Sequence, residues 1–421
     1  MKYTLPYGDK QLSFELPDDL PVSLLQLEEP AEESDTHDIV GEAIGSTCRA
    51  QLEPKIKPDS QIAIICDDVS RPTPAELILD QLLPVLADLG IPDEQIRIVF
   101  ALDTHRRMTV AEIEQKIGST YAGRFRICQP TYNQDSDFET ALVTEKGEAI
   151  RLYHEVLSAD IRIGIGDVVP CNVLGWSGGA SIMFPGVASE SSIANFQLKA
   201  ALHPVPLFGE KENAIRDEVE SWVERIGLDC IINTVLNRKS ELVGCYAGHV
   251  VTAHRQAVEA AEAIYGTSFA EQADLVIANG EPSSFDFWQG TKGLNASNIV
   301  ASDGADVILC IPCPEGVGPH PEYLDFLGRE NPEDILAAYI DEPSAACDPI
   351  AMAVGTMIAK RRARYRIHLL SDGISHDECH RAGIRKIDDL QTAIDHLLHM
   401  RRIERAAIIR DGAKILPRKA D

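Results

Sequence analysis

Gln61-Ile62-Ala63-Ile64-Ile65-Cys66 is an unbroken apolar run of strand length, ending in the polar turn Asp67-Asp68-Val69-Ser70-Arg71-Pro72-Thr73-Pro74 before a helical pattern opens at Ala75. A strand that is apolar on both faces must be covered on both, the condition of a parallel sheet flanked by helices. The alternation recurs. Residues 95–101 end at Leu102-Asp103-Thr104-His105-Arg106-Arg107-Met108, and residues 161–165 end at a glycine-rich stretch, residues 166–186. Helical spacing is read at residues 39–48, 110–117, 192–203, 213–227 and 250–265, and residues 1–18 alternate as a hairpin turning at Tyr7-Gly8-Asp9-Lys10. Past residue 266 the pattern restarts: strand 274–279, helix 289–302, strand 306–311, helices 333–341 and 348–361, strand 365–371, helix 387–399 and strand 406–409. These features predict an α/β chain of two domains with mainly parallel sheets, residues 1–272 and 273–421, a division that its length of 421 residues supports.

Charge narrows the partners. With 66 acidic against 39 basic residues the formal charge is −27, which repels phosphate backbones and argues against non-specific nucleic-acid binding. No apolar run reaches the roughly 18 residues of a membrane span, and the first residues lack a signal-peptide core, so the expected location is the cytoplasm. The 10 cysteines are sparse and irregularly spaced. The close pair Cys310 and Cys313 lacks a second pair to complete a zinc site and is read as a buried strand end. The acidic stretch 28–35 reads as a solvated loop.

Polar residues collect where a parallel sheet would bind ligands, at the carboxyl ends of its strands. Asp68 and Arg71 are either a capping acid in a proline-rich turn or a pair that presents a planar guanidinium to a carboxylate or phosphate. His105 is either a surface residue or a proton-transfer group at the end of the neighbouring strand. The glycine-rich stretch, with Trp176, Ser177, Gly178 and Gly179 at its centre, is either a tight turn or a cradle of backbone N–H groups for an anion. Gln289 and Lys292, three residues apart, share a helix face near its N-terminus, where an amide and an ammonium can grip an anion. Residues 314–320 form a second glycine-rich loop suited to a cleft wall. His376, Cys379 and His380 have metal-like spacing without a fourth ligand and are read as a solvated loop.

Taken in order, several motifs resemble the lactate racemase family of nickel-dependent 2-hydroxyacid racemases and epimerases. They are the Tyr7-Gly8 opening, Asp68-x-x-Arg71-Pro-x-Pro, Thr104-His105-Arg106, Gly175-Trp176-Ser177-Gly178-Gly179 with Pro185-Gly186, Ala247-Gly248-His249 through His254, Gln289-x-x-Lys292 and Glu315-Gly316-x-Gly318. The resemblance covers nearly the whole chain. It implies two α/β domains with an interdomain active-site cleft and a nickel-pincer nucleotide that takes a hydride from the substrate's α-carbon and returns it to either face. Carried over by position, it implies that Arg71 and Lys292 bind and polarise the substrate, that Gln289 and Asp68 support them, and that His105 is one acid/base. Ser177, Gly178, Gly179, Ser181, Cys171 and Trp176 fall in the cofactor loop. A hydroxyacid or sugar-acid substrate and cofactor-maturation proteins are the implied partners.

Three positions depart from the family pattern. Cys171 stands where the family has a second acid/base histidine, and Ser181 stands where it has the lysine that anchors the cofactor covalently. Gln197 falls where it has a nickel-binding histidine; His203 lies six residues further on, and nickel prefers imidazole to an amide. The expectation is therefore a 2-hydroxyacid racemase or epimerase whose pincer nucleotide is held non-covalently. The alternatives are an enzyme of the same fold acting on a hydroxyacid or sugar acid with another cofactor or metal, and a ligand-binding homologue without catalysis.

Overall fold

Ile62–Asp67 is buried along its whole length inside a six-stranded sheet. The order across that sheet is Leu242–Gly248, Cys230–Leu236, Ile161–Asp167, Ile62–Asp67, Ile96–Ala101 and Arg126–Cys128. Every pairing in it is parallel except that of the first two strands. The computed structural model describes residues 1–28, 36–341 and 347–420, so most of the acidic stretch lies outside the described residues.

The chain divides into two units. The first comprises Glu29–Phe196 and Leu207–Ile264; the second comprises Met1–Glu28, Gln197–Pro206 and Tyr265–Asp421. In the first unit, Ile62, Ile64, Ile98 and Ile163 of the sheet pack with Leu79, Leu82 and Leu86 of the helix Ala75–Asp88. All seven side chains are fully buried, each contributing about 1.5–3 kcal/mol of hydrophobic stabilisation.

The second unit has its own six-stranded sheet, all parallel, in the order Arg385–Ile387, Arg366–Leu370, Ala301–Cys310, Ala273–Asn279, Ala406–Ile409, Val22–Leu25. Its composition moves the division expected at 272/273. The hairpin Lys2–Tyr7 and Lys10–Glu15 buries Leu5, Tyr7 and Phe14 against Leu275, Ile277 and Ile308, and Val22–Leu25 pairs with Ala406–Ile409 at the sheet's edge. Leu198 and Ala201 pack with Leu336, Met352 and Ala353, and Lys360 Nζ donates to the Ala201 carbonyl at 2.7 Å. These contacts join segments far apart in sequence, which spacing alone does not reveal.

The strands and helices expected after residue 266 form at nearly the expected places. His376–Arg381, expected as a loop, is instead a short helix closed by a capping box between Ser375 and Glu378.

Candidate functional site

The turn after Ile62–Asp67 places Asp68 and Arg71 beside His105, which follows the adjacent strand Ile96–Ala101. Asp68 Oδ2 lies 2.7 Å from His105 Nδ1. The other oxygen of Asp68 accepts from the Ser70 N–H at 3.0 Å and the Ser70 hydroxyl at 2.5 Å. Burial works to raise the Asp68 carboxyl, but the charge and hydrogen bond of His105, with the two bonds from Ser70, hold it well below the usual carboxylate range. With Asp68 ionised and accepting from Nδ1–H, the basic nitrogen of neutral His105 is Nε2. The His105 side chain is 24% exposed, so the dyad combines a buried carboxylate with an imidazole that solvent reaches.

Arg71 is 27% exposed and its Nη1 lies 3.4 Å from Oδ1 of Asp167, the last residue of the strand Ile161–Asp167. Burial opposes the cation, but Asp167, then Cys171, Asp67 and Asp68, favour it and raise its pKa. Asp67 is pushed up by burial against the pull of Lys116, whose Nζ is 2.7 Å from Asp67 Oδ1 and 2.8 Å from the Arg71 carbonyl. Lys116 thus fixes both the carboxylate and the backbone of the turn.

The His105 loop is anchored as well: Asp103 N–H donates to the Gly186 carbonyl at 2.9 Å, tying it to the end of the glycine-rich stretch. That stretch forms a small hairpin, Pro170–Cys171 against Gly175–Trp176, followed by a single turn Gly179–Ile182. Ser177 latches it shut, its Oγ accepting from Val169 N–H and donating to the Asp167 carbonyl, both at 2.9 Å. Gly179 N–H donates to Asn233 Oδ1 at 2.9 Å. Gly178 and Gly179 have φ of +76° and +61°, and a Cβ on them would stand 2.7 Å from Val168 and 2.9 Å from the His254 ring. The tight turn is therefore what the glycines serve locally: they admit neighbouring protein atoms.

Trp176 is 1% exposed and donates from Nε1 to the Gly209 carbonyl at 3.2 Å. Arg216 Nε donates to the Leu174 carbonyl at 2.9 Å and its Nη2 to that of Trp176. His254 Nε2 bonds the Ser177 carbonyl at 2.9 Å. Burial, then the charge of Arg216, hold His254 well below the ordinary histidine range, so it supports the loop as a neutral ring.

These bonds test the expected cofactor loop. Ser181 Oγ donates to the Gly178 carbonyl at 2.9 Å and offers no amine, and Ser177 Oγ and Gly179 N–H are engaged within the protein. The residues present do not fit a group anchored through an amine. Of the loop candidates, Cys171 and Ser181 are the part-exposed side chains. In the helix Glu190–Leu202, Gln197 Oε1 is buried without a hydrogen-bond partner among the described residues, while His203, just past that helix, has Nδ1 2.8 Å from the Val205 carbonyl. Among the described residues no three His, Cys, Asp or Glu side chains stand together as a metal site.

In the second unit, Gln289 and Lys292 lie at a tight helical turn. Asp286 caps Phe287–Gly290, its Oδ1 accepting from Gln289 N–H at 2.6 Å, and Lys292 N–H donates to the Gln289 carbonyl at 3.0 Å. The second glycine-rich loop is pinned there, its Gly316 and Val317 carbonyls accepting from Phe287 and Trp288 N–H. It ends at His320, which is buried against Trp288 with Nδ1 2.7 Å from Asp348 Oδ2.

Sequence reasoning overlooked Asp67, Lys116, Asp167 and Asn233. The first and third close strands that it recognised, so the rule that strand ends carry function extends to them. Lys116 and Asn233 carry no such signal.

Residues 7–204 match the family model described as Lactate racemase N-terminal domain. The chain is similar to lactate racemase of Thermoanaerobacterium thermosaccharolyticum, 26% identical over 339 residues that cover 79% of each protein. It is also similar to lactate racemase of Lactiplantibacillus plantarum, 26% identical over 297 residues covering 70% of each. In fold it is similar to the lactate racemase apoprotein of T. thermosaccharolyticum, with a TM-score of 0.87 at 22% identity, over 99% of this chain and 100% of that one.

Proposed function

We propose that the chain is an isomerase of the lactate racemase family, a racemase or epimerase that inverts the carbinol carbon of a small 2-hydroxy acid; the match of residues 7–204 to the model of that family's N-terminal domain supports this reading. The observation that carries the proposal is the 2.7 Å contact of Asp68 Oδ2 with His105 Nδ1, beside Arg71. Arg71 pairs its guanidinium with the substrate carboxylate, a planar match that fixes orientation. His105 Nε2 is placed to hold the hydroxyl proton and to return it after inversion, while the hydride released from the carbon would be taken up and given back by a bound hydride-accepting cofactor. Asp68 holds the ring in one tautomer and stabilises the imidazolium that forms. Gln289 and Lys292 keep the roles the resemblance implies, support and polarisation of the substrate.

The finer part of the proposal is a nickel-pincer nucleotide held non-covalently, with nickel and the cofactor-maturation proteins that supply it. Ser181 in place of an amine is what requires the non-covalent hold. The same residue, with Cys171 and Gln197, favours the second reading, an enzyme of this fold that acts on a hydroxyacid or sugar acid with a different cofactor.

The test is chiral chromatography of a panel of 2-hydroxy acids incubated with protein co-expressed with the cofactor-making proteins. Interconversion of one pair of isomers by the wild type, lost in His105→Ala, is expected; no interconversion of any pair overturns the proposal. Native mass spectrometry and metal analysis of the same protein decide the finer part. Finding neither nickel nor a sulfur-containing nucleotide in active protein leaves the second reading.

A further inference from the structure

We propose that the second unit carries a binding site for a small phosphorylated molecule, in a cavity of about 530 Å³ at the N-terminal edge of its parallel sheet. Ligands of such sheets ordinarily lie at the opposite, carboxyl ends of the strands, so this site is separate from the strand-end chemistry described above. It uses none of the residues assigned to the racemase, and either proposal can fail without the other.

Charge sets the site apart. Arg362, Arg366, Arg385 and Arg401 line the cavity with one carboxylate, Asp306, a formal balance of +3 (4 − 1, histidines neutral) in a chain of formal charge −27. The strand register gathers these groups. Asp306 pairs with Arg366 and His368 with Arg385 across three adjacent parallel strands, which brings their side chains to one face.

The single carboxylate is shared several ways. Arg366 binds Asp306 through Nε and Nη2, both at 2.8 Å, and His368 Nε2 lies 2.8 Å from the same group. Arg401 Nε reaches only to 3.9 Å from it. Arg362 is held by neutral carbonyls, those of Gly383 at 2.9 Å and Leu327 at 2.7 Å. Arg385 forms no ion pair or hydrogen bond with the described residues. Crowding like charges in one cavity costs energy that a bound anion relieves.

Tyr365 adds an aromatic wall: it lines the cavity at 2% exposure, and the nearby charge of Arg361 acts on its hydroxyl.

The chemistry of the lining selects the ligand class. Guanidinium forks match phosphate oxygens, and a phosphate monoester carries up to two negative charges to set against the local excess. The volume exceeds that of phosphate alone and falls within the usual range of small-molecule sites, roughly 300–1,000 Å³, so an organic group is accommodated beside the phosphate. Most of the arginines are solvent-exposed, so binding is weakened by salt.

The experiment is isothermal titration calorimetry of the full-length protein with AMP, inorganic phosphate, adenosine and citrate at two salt concentrations. AMP is expected to saturate one site and to weaken at the higher salt, with adenosine inert. The double variant Arg385→Ala/Arg401→Ala, two exposed side chains, is expected to weaken AMP at least tenfold while leaving the thermal midpoint of the free protein unchanged. No heat from AMP or phosphate up to millimolar concentrations overturns the proposal. So does AMP binding that the double variant leaves intact, which places the anion elsewhere, and so does citrate binding more tightly than either phosphate compound.

Discussion

Gly179 N–H donates to Asn233 Oδ1 at 2.9 Å, so the centre of the glycine-rich loop is fastened to the strand Cys230–Leu236. Asn233 also donates to the Gly166 carbonyl at 3.4 Å, joining the start of the stretch to its centre through one amide. The loop is held as a rigid part of the sheet's carboxyl edge, next to Asp167 and hence to Arg71.

Alanine at position 179 meets two penalties. Its φ of +61° disfavours any side chain, and the new Cβ lies 2.9 Å from a His254 ring that hydrogen bonds hold in place. Gly179→Ala is expected to destabilise the protein by about 2–4 kcal/mol in denaturant unfolding. Gly90→Ala, at φ +85° with no atom within 4 Å, is the control and costs about 1 kcal/mol. Equal losses for the two would remove the packing argument.

Asp68→Asn keeps an oxygen near His105 Nδ1 but removes the charge that stabilises an imidazolium. Turnover is expected to fall about 10²–10⁴-fold with KM nearly unchanged. A kcat within twofold of wild type excludes the dyad from proton transfer.

Arg71→Lys retains a positive charge and loses the two-pronged geometry. KM for the hydroxy acid is expected to rise about 10–100-fold, the equivalent of about 1.4–2.7 kcal/mol, with a smaller effect on kcat. If instead kcat alone falls, Arg71 acts on the reacting centre rather than on the carboxylate.

His254 ties stability to pH. Its folded pKa lies well below the unfolded value of about 6.5, because burial and then the charge of Arg216 oppose protonation. Above about pH 6.5 the ring is neutral in both states and no penalty arises. As pH falls below that value only the unfolded chain gains the proton, so stability declines until the folded pKa is reached. The thermal midpoint is expected to drop between about pH 6.5 and 5 in the wild type and to drop less in His254→Gln. Parallel profiles would show that another group governs the decline.

The sequence displays the strand ends because Ile62–Asp67, Ile96–Ala101 and Ile161–Asp167 are apolar runs closed by polar turns. It conceals Cys230–Leu236, a wholly buried neighbour of the same sheet, because Asn233 and Thr234 interrupt its run. The Asn233 amide is satisfied by partners 54 and 67 residues away, a pairing that local spacing cannot express. The glycine loop shows the same limit. Its composition marks a tight backbone, but a ligand and the His254 ring both demand glycine, and sequence alone does not say which is present.

Among the described residues Val22–Leu25 pairs as a strand with Ala406–Ile409 alone, far along the chain. On a ribosome adding about 5–20 residues per second, the early strand waits roughly 20–80 s for its partner. The first unit, assembled from residues up to Ile264, can meanwhile close. The hairpin's apolar face packs on Leu275, Ile277 and Ile308 and so has its cover earlier, whereas the strand Val22–Leu25 stays unpaired until Ala406–Ile409 is made.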